Sequence, residues 1–313
     1  MEPAIYKCFM PNTSSVLQVK LLKSFKRGLK FLESKQRCNG SFVDFESSGV
    51  PSNQWITAHL CWVLGDMIEF SEITKRGANY LRQVMKLEGC WGYNANVAGD
   101  ISTTAQAIMA LSKQGISDQV LSLEWVSKHQ GKDGSFGTYP KIPQMQYNNW
   151  SASHDDTTLE VICMFQTLQI YNNCSDLTIK WASEKYLKRG FSSFWWKGDS
   201  YILWLQKRLG LFYADAESTS TSNLHMASTS CELSLLLEGL SAKYPIVEDS
   251  LSKLMDMQLN DGSWNCSPCL RIPKLKILDS HTDLSREICY PGENRIFSTI
   301  HAVACISSYF VRD

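Results

Sequence analysis

The run Ser151-Ala152-Ser153-His154-Asp155-Asp156-Thr157-Thr158 puts two adjacent carboxyls and an imidazole where a polar loop gives way to an apolar helix. A carboxyl held against an apolar wall loses the solvation of its charged form, so its pKa rises and it keeps its proton at neutral pH. Such a group is a general acid. The same residue types also suit a plainer role, because Ser, Asp and Thr are preferred at helix N-caps and first turns, where their oxygens accept backbone N–H bonds and their charge suits the helix dipole. Capping alone accounts for Ser153, Asp156 and Thr157, and spacing does not decide between the two uses.

The elements that must position these groups come in two kinds. One set opens with small hydroxyl residues and is apolar on most faces: Ile56-Thr57-Ala58-His59, Ser102-Thr103-Thr104-Ala105, Asp156-Thr157-Thr158-Leu159, Ser228-Thr229-Ser230-Cys231 and Ser298-Thr299-Ile300-His301, with Asp199 to Leu211 as a sixth. Helices apolar almost all round must be buried. The other set, Leu17 to Gln36, Thr74 to Leu87, Asp118 to Gln130, Asp176 to Lys188 and Val247 to Gln258, carries Lys, Arg and Glu on one face and belongs outside. The two kinds alternate. Such a series closes as two concentric rings, so the expected fold is all-α, an α/α toroid (an α6/α6 barrel) whose inner helices line a central cavity, in one domain spanning 1–313. The sixth outer helix is due between Phe212 and Asn223, where Ser-Thr-Ser-Thr-Ser reads as a loop. Long connections at Gly134 to Ser153 and Cys266 to Asn294 are expected over the cavity mouth.

The outer helices end in a repeat. Gln36-x-x-x-Gly40-Ser41-Phe42 returns as Gln130-x-x-x-Gly134-Ser135-Phe136 and as Gln258-x-x-x-Gly262-Ser263-Trp264, with a weaker copy ending Gly89-Cys90-Trp91 in which Met85 replaces the glutamine. Each copy describes a helix C-terminus, a glycine turn and a returning aromatic ring, with the Gln free to bond backbone groups of the neighbouring helix. These Gln and aromatic residues read as scaffold.

The repeats resemble the QW repeats of squalene–hopene and oxidosqualene cyclases. His154-Asp155-Asp156-Thr157-Thr158 is similar to the Asp-x-Asp-Asp-Thr-Ala motif of class II terpene cyclases. The resemblance spans nearly the whole chain, as one toroid of the two that such cyclases usually have. It implies an isomerase-type terpene cyclase in which Asp155 matches the family's proton donor and Asp156 the Asp after it. Ser153 stands where the first Asp of the motif would be, a departure that leaves His154 to orient the acid. The implied reaction is protonation of an alkene, ring closure through carbocations, and loss of a proton.

A bare cation needs π-faces and a dry pocket. Trp55, Trp150, Trp195, Trp196, Tyr201, Trp204 and Phe297 lie near inner-helix starts or in the adjoining loops; Trp55, Tyr201 and Phe297 are preferred because they open inner helices as Asp155 does. Among the histidines, His301 and His225 are the first to inspect as neighbours of the acid. Other chemistries compete. Asp155-Asp156-x-x-x-Glu160 loosely fits a metal–diphosphate pattern, Cys266-x-x-Cys269 with His281 is a conceivable zinc set, and Asp155 with Glu232 could serve as a glycosidase pair. A toroid that only binds a lipid or partner is the non-catalytic alternative. No cofactor is expected, Mg²⁺ entering only with a diphosphate-bearing substrate.

Bulk properties exclude some classes. With 31 basic and 31 acidic residues the formal charge is zero, which gives no stripe for nucleic acid. Eleven unframed cysteines and an N-terminus without a basic and apolar leader point to a reducing cytoplasm. No apolar stretch approaches the roughly 20 residues of a membrane span, which leaves peripheral membrane contact open. The expected partner is a hydrophobic isoprenoid small molecule, with the oligomeric state open.

Overall fold

Most positions of Gln54–Leu64 (α2), Ile101–Lys113 (α4), Asp155–Thr167 (α6), Ser200–Leu209 (α8), Ser230–Leu237 (α10) and Ile296–Ser308 (α12) are buried, so each helix is wrapped by protein. In the computed structural model, which describes residues 15–47, 50–140, 149–210, 213–240, 245–272 and 288–309, each packs on the next and α12 returns to α2. The inner series is a closed ring. Around it, Ser15–Lys35 (α1), Ser71–Val84 (α3), Val120–Lys128 (α5), Asn173–Arg189 (α7), Tyr213–Asn223 (α9) and Pro245–Asp256 (α11) lean on α12, α2, α4, α6, α8 and α10 respectively. The fold is an α/α toroid. α3 typifies the outer layer: Ile73, Thr74, Gly77, Ala78, Tyr80 and Leu81 are buried on one face while Lys75, Arg76 and Arg82 are exposed. No helix among the described residues is long and apolar enough to cross a membrane.

The repeated Gln works as a clamp between successive outer helices. The Gln36 amide Nε2 donates to the carbonyls of Gly40 (2.9 Å) and of Ile73 in α3 (2.8 Å), and Gln130 reaches Cys174 O and Thr178 Oγ1 in α7, both at 2.8 Å. Gln258 closes the circle onto α1, donating to Ser24 O (2.9 Å) and accepting from the Ser24 hydroxyl (2.9 Å). The glycine of each copy has φ near +90°, and a Cβ there would lie 2.3 Å from a carbonyl oxygen of the adjacent helix, Arg76 for Gly40, Leu177 for Gly134 and Arg27 for Gly262. The backbone N–H that follows donates to a threonine of the inner ring, Phe42 to Thr57, Phe136 to Thr158 and Trp264 to Thr299. That pairing explains why the inner helices open with hydroxyl residues.

One expectation is corrected. The Ser/Thr run that reads as a loop forms α9, because Thr221 and Ser222 return their hydroxyls to the carbonyls of Glu217 (2.8 Å) and Ser218 (3.0 Å) and the helix packs on α8 and α10. Short strands lie between the helices: Asp44–Ser47 (β1) pairs with Val50–Ser52 (β2), and Leu270–Ile272 (β3) with Ile288–Tyr290 (β4), both antiparallel. Asp44 of β1 accepts from the N–H groups of Asn294 (3.0 Å) and Phe297 (2.9 Å), fastening this hairpin to the start of α12.

Candidate active site

The centre of the ring is not hollow. Phe297 stacks on Trp196 (centroids 4.5 Å apart), Trp196 on Tyr201 (4.8 Å), and His59, Trp62, Trp204 and His301 continue the packing. Large rings pack against one another here, and a space lies to one side of them. It is a cavity of about 370 Å³ against the N-terminal turns of α2, α4 and α6. Tyr93, Tyr139, Trp150, Trp195 and Trp196 wall it with Trp55, and Leu270, Ile272 and Tyr290 of β3 and β4 cover it.

The helix phase of α6 separates the aspartate pair. Asp156 lines the cavity, whereas Asp155 turns to the outer layer, with Oδ1 3.1 Å from Lys185 Nζ of α7 and Oδ2 accepting from Ser192 N (2.9 Å). The sequence expectation of Asp155 at the cavity wall is corrected, since it is not among the residues that line it; successive helix residues point about 100° apart, and this one faces α7. Burial pushes its carboxyl upward, opposed by the Ser192 N–H and the Lys185 ammonium. Asp156 is a hub. It accepts from Thr157 N (3.0 Å), Ser193 Oγ (2.8 Å), Phe194 N (3.0 Å) and Trp195 N (3.0 Å), fixing the segment that carries two wall tryptophans.

His154, expected to orient the acid, directs its hydrogen bonds elsewhere. Its Nε2–H donates to Asn149 O (2.7 Å), which leaves Nδ1 to accept from the Thr138 hydroxyl (2.8 Å), and the ring stacks on Phe194 at 3.8 Å. Burial lowers it to about 4, so it is neutral. Thr138 also accepts from Trp195 Nε1 (2.7 Å) and contacts the Thr157 hydroxyl (2.8 Å). His154 therefore pins the connection before α6 to the wall. Of the aromatic candidates, Trp55 and Trp150 line the cavity; Tyr201, Phe297, Trp204 and His301 are fully buried behind it, and His225 is exposed.

Two further acids stand in the wall that the motif does not mark. Asp100 caps α4, accepting from Thr103 N (2.7 Å) and Thr103 Oγ1 (2.8 Å), and burial raises it to about 7. Glu160 is one turn along α6 from Asp156 and on the same face; the i, i+4 spacing was the available signal. Its Oε1 accepts from Tyr201 OH (2.7 Å) and Gln106 Nε2 (2.9 Å), and the Ser102 hydroxyl is hydrogen-bonded to the same carboxyl. Burial, reinforced by the charge of Asp156 and opposed by Ser102, Tyr201 and Gln106, raises this carboxyl to about 8. Behind it a buried polar chain runs across the ring. Gln106 Oε1 accepts from His59 Nδ1 (3.1 Å), His59 Nε2 then accepts from His301 Nε2 (3.0 Å), and His301 Nδ1 lies 3.8 Å from Glu238, which pairs with Arg208 (3.0 Å).

The competing sets do not assemble. Among the described residues no group of three His, Cys, Asp or Glu side chains is arranged to hold a metal ion. Cys266 and Cys269 bring their sulfurs within 3.7 Å, and His281 lies outside the described residues. Glu232 is engaged in a capping box with Thr229 and does not reach the Trp-lined cavity.

No family model and no curated protein matches the chain. Solved structures do. The type II terpene cyclase MstE from Scytonema is similar at 19% identity, with a TM-score of 0.79 over 92% of this chain and 97% of that one. An Asp-to-Asn variant of that cyclase, in complex with its substrate geranylgeranyl dihydroxybenzoate, gives 17% identity and 0.80 over 95% and 99%. An unsaturated glucuronyl hydrolase specific for heparin follows at 11% identity and 0.60, over 93% and 97%. At these identities the likeness establishes the shared toroid.

Proposed function

We propose that this protein is a protonation-initiated, class II-type terpene cyclase that closes rings in an isoprenoid or prenylated small molecule bound between α2, α4 and α6. The observation that carries the reading is a carboxyl-bearing face of α6 opening into a tryptophan-walled cavity. A carboxylic acid in that setting transfers its proton to a terminal alkene carbon. The cation so formed is attacked by the next double bond, and the indole faces of Trp55, Trp195 and Trp196 stabilise the moving charge while keeping water out. The last cation loses a proton, so the reaction is an isomerisation. At about 370 Å³ the cavity is near the small end of ligand sites, roughly 300–1,000 Å³, and suits a chain shorter than a triterpene or one only partly inserted. The geranylgeranyl dihydroxybenzoate bound by the similar cyclase is a compound of that kind.

The test is incubation of the pure protein with geranylgeranyl dihydroxybenzoate and with linear prenyl alcohols and diphosphates of several lengths, with and without EDTA, followed by mass and NMR analysis. Cyclic products of unchanged mass that form in EDTA are expected. Binding without any product would leave a lipid-binding toroid, and loss of activity on chelation would favour a diphosphate-ionising enzyme.

A further inference from the structure

We propose that Cys231, Cys266 and Cys269 form a thiol–disulfide exchange site, in which Cys266 and Cys269 close a disulfide at the root of β3, the strand that covers the cavity. Its chemistry is independent of what the cavity binds.

The chain places Cys266-Ser267-Pro268-Cys269 immediately before β3, and the fold adds a third thiol from the first turn of α10. The Cys266 and Cys269 sulfurs lie 3.7 Å apart, and the Cys231 thiol is hydrogen-bonded to both. A disulfide needs about 2.05 Å between sulfurs, so closing the bond is a small movement within one turn. Small molecules can reach the thiols from two adjoining hollows. Cys266 lines one of about 580 Å³, Cys231 and Cys269 line one of about 190 Å³, and Ser228, Thr229 and Ser267 border both.

As a thiolate, Cys266 accepts from the Cys231 and Cys269 S–H groups and from Gly292 N–H, which hold its pKa well below the ordinary thiol value against the cost of burial. The opposing charge beside it is Asp44, whose carboxyl shares the space over Gly292 and is raised to about 7 by burial first and by Cys266 second. In the proposed step the Cys266 thiolate attacks one sulfur of a small-molecule disulfide of the glutathione type, forming a mixed disulfide and releasing one small thiolate. Cys269 gives its proton to that thiolate and displaces the second, so the cysteines are oxidised to a disulfide as the small disulfide is reduced to two thiols. Cys231 is a positioning residue that stabilises the attacking thiolate.

Cys269 is fastened on both sides. Its carbonyl accepts from Lys197 N (2.9 Å), its N–H donates to Tyr290 O (3.2 Å), and the next residue, Leu270, bridges to Trp196 and lines the cavity. Drawing Cys269 toward Cys266 therefore pulls on the cover strand and on a wall tryptophan.

The experiment equilibrates the full chain, as wild type, Cys269→Ser, Cys231→Ala and Cys231→Ser, with reduced and oxidised glutathione in set ratios, then quenches, alkylates and digests with trypsin. Residues 254–271, bounded by Lys253 and Arg271, form one peptide that carries both cysteines. In excess oxidised glutathione this peptide should become lighter by two hydrogen atoms and escape alkylation, dithiothreitol should reverse the change, and tryptophan emission should shift with it. Cys269→Ser should instead trap glutathione on Cys266. Cys231→Ala should close several-fold more slowly and move the alkylation of Cys266 to higher pH, with Cys231→Ser, which keeps a donor, restoring most of both. A peptide that stays a dithiol in excess oxidised glutathione, or stoichiometric zinc that blocks its oxidation until chelated, would overturn the exchange site. An unmoved alkylation profile in Cys231→Ala would remove Cys231 from it, and a disulfide that forms without any change in emission would sever its link to the cavity.

Discussion

Asp156 and Glu160 stand one turn apart on the same face of α6, yet the first accepts four hydrogen bonds, three of them from residues 193–195, while the second is bonded by Ser102, Gln106 and Tyr201 of other inner helices. The contrast predicts different failures. Asp156→Asn substitutes one acceptor oxygen and an NH₂ for a carboxylate, so the four donors can no longer all be satisfied: with the amide oxygen toward Ser193, Phe194 and Trp195 the NH₂ faces the Thr157 N–H, and the charge that strengthens every bond is gone. Unsatisfied buried donors cost about 1–3 kcal/mol each, so a loss of about 3 kcal/mol is expected in urea unfolding. Because the freed segment carries Trp195 and Trp196, KM should rise more than kcat falls. A variant with wild-type stability and KM would show that the hub does not hold the wall.

Stability should fall as pH rises from about 5 to 8.5. Asp44 and Asp100 are raised by burial from 3.8 to about 7, and Glu160 from 4.5 to about 8. A carboxyl whose folded pKa lies above its unfolded value binds more protons in the native state, so its contribution is present below the unfolded pKa and is lost as pH climbs through the folded one. Glu238, lowered to about 2 with Arg208 and His301 favouring its charge over the cost of burial, acts oppositely and loses its contribution below about pH 4. Melting temperatures recorded across this range in wild type and Glu160→Gln give the check. The variant cannot lose that proton, so its decline above pH 6 should be shallower, and superimposable curves would reject the buried-proton account.

Gly134→Ala should be severe although it adds one methyl group. The residue has φ +94°, and the new Cβ would meet Leu177 O at 2.3 Å, a backbone atom with no side-chain freedom to move aside. The left-handed conformation costs about 1–2 kcal/mol by itself, before the clash prises the turn from α7. Gly190→Ala shares a positive φ of 70° but has nothing within 4 Å of its Cβ. Paired denaturation curves should show the first variant several-fold more damaging than the second, and equal losses would mean that close approach is unimportant.

Legibility in the sequence followed the range of the interactions. The Gln–Gly–aromatic repeats and the alternation of buried and amphipathic helices are local patterns, and they sufficed for the toroid because Gln36, Gln130 and Gln258 do join neighbouring outer helices. α9 was hidden because Ser and Thr are indifferent helix formers whose return bonds exist only once the helix has packed. The site was partly legible. The run at the start of α6 marked the right helix, but which of two adjacent carboxyls faces inward depends on helix phase, set by the contact of Asp155 with Lys185 on a distant segment. The off-centre cavity depends on how Phe297, Trp196 and Tyr201 stack, which no spacing rule encodes.

Trp196 ties that stacked core to the cavity wall. It stacks on Phe297 at 4.5 Å and 11° and on Tyr201 at 4.8 Å, with Phe45 edge-on at 5.9 Å, and the side chain also lines the cavity. On the proposed cyclase reading, rigid backing of this kind would fix an indole where a cation passes. Trp196→Leu keeps the wall apolar but removes the π-face and leaves a void, at a cost of about 2–3 kcal/mol from lost packing. Trp196→Phe keeps a π-face with less volume. If the ring steers the cation, the Leu variant should release partly cyclised or water-captured products and the Phe variant should restore most of the normal pattern, both read from product ratios at equal conversion. Simple loss of rigidity would instead degrade the two variants alike, in proportion to their melting temperatures. An unchanged product ratio in Trp196→Leu would leave Trp196 a packing residue, with cation stabilisation falling to Trp55 and Trp195.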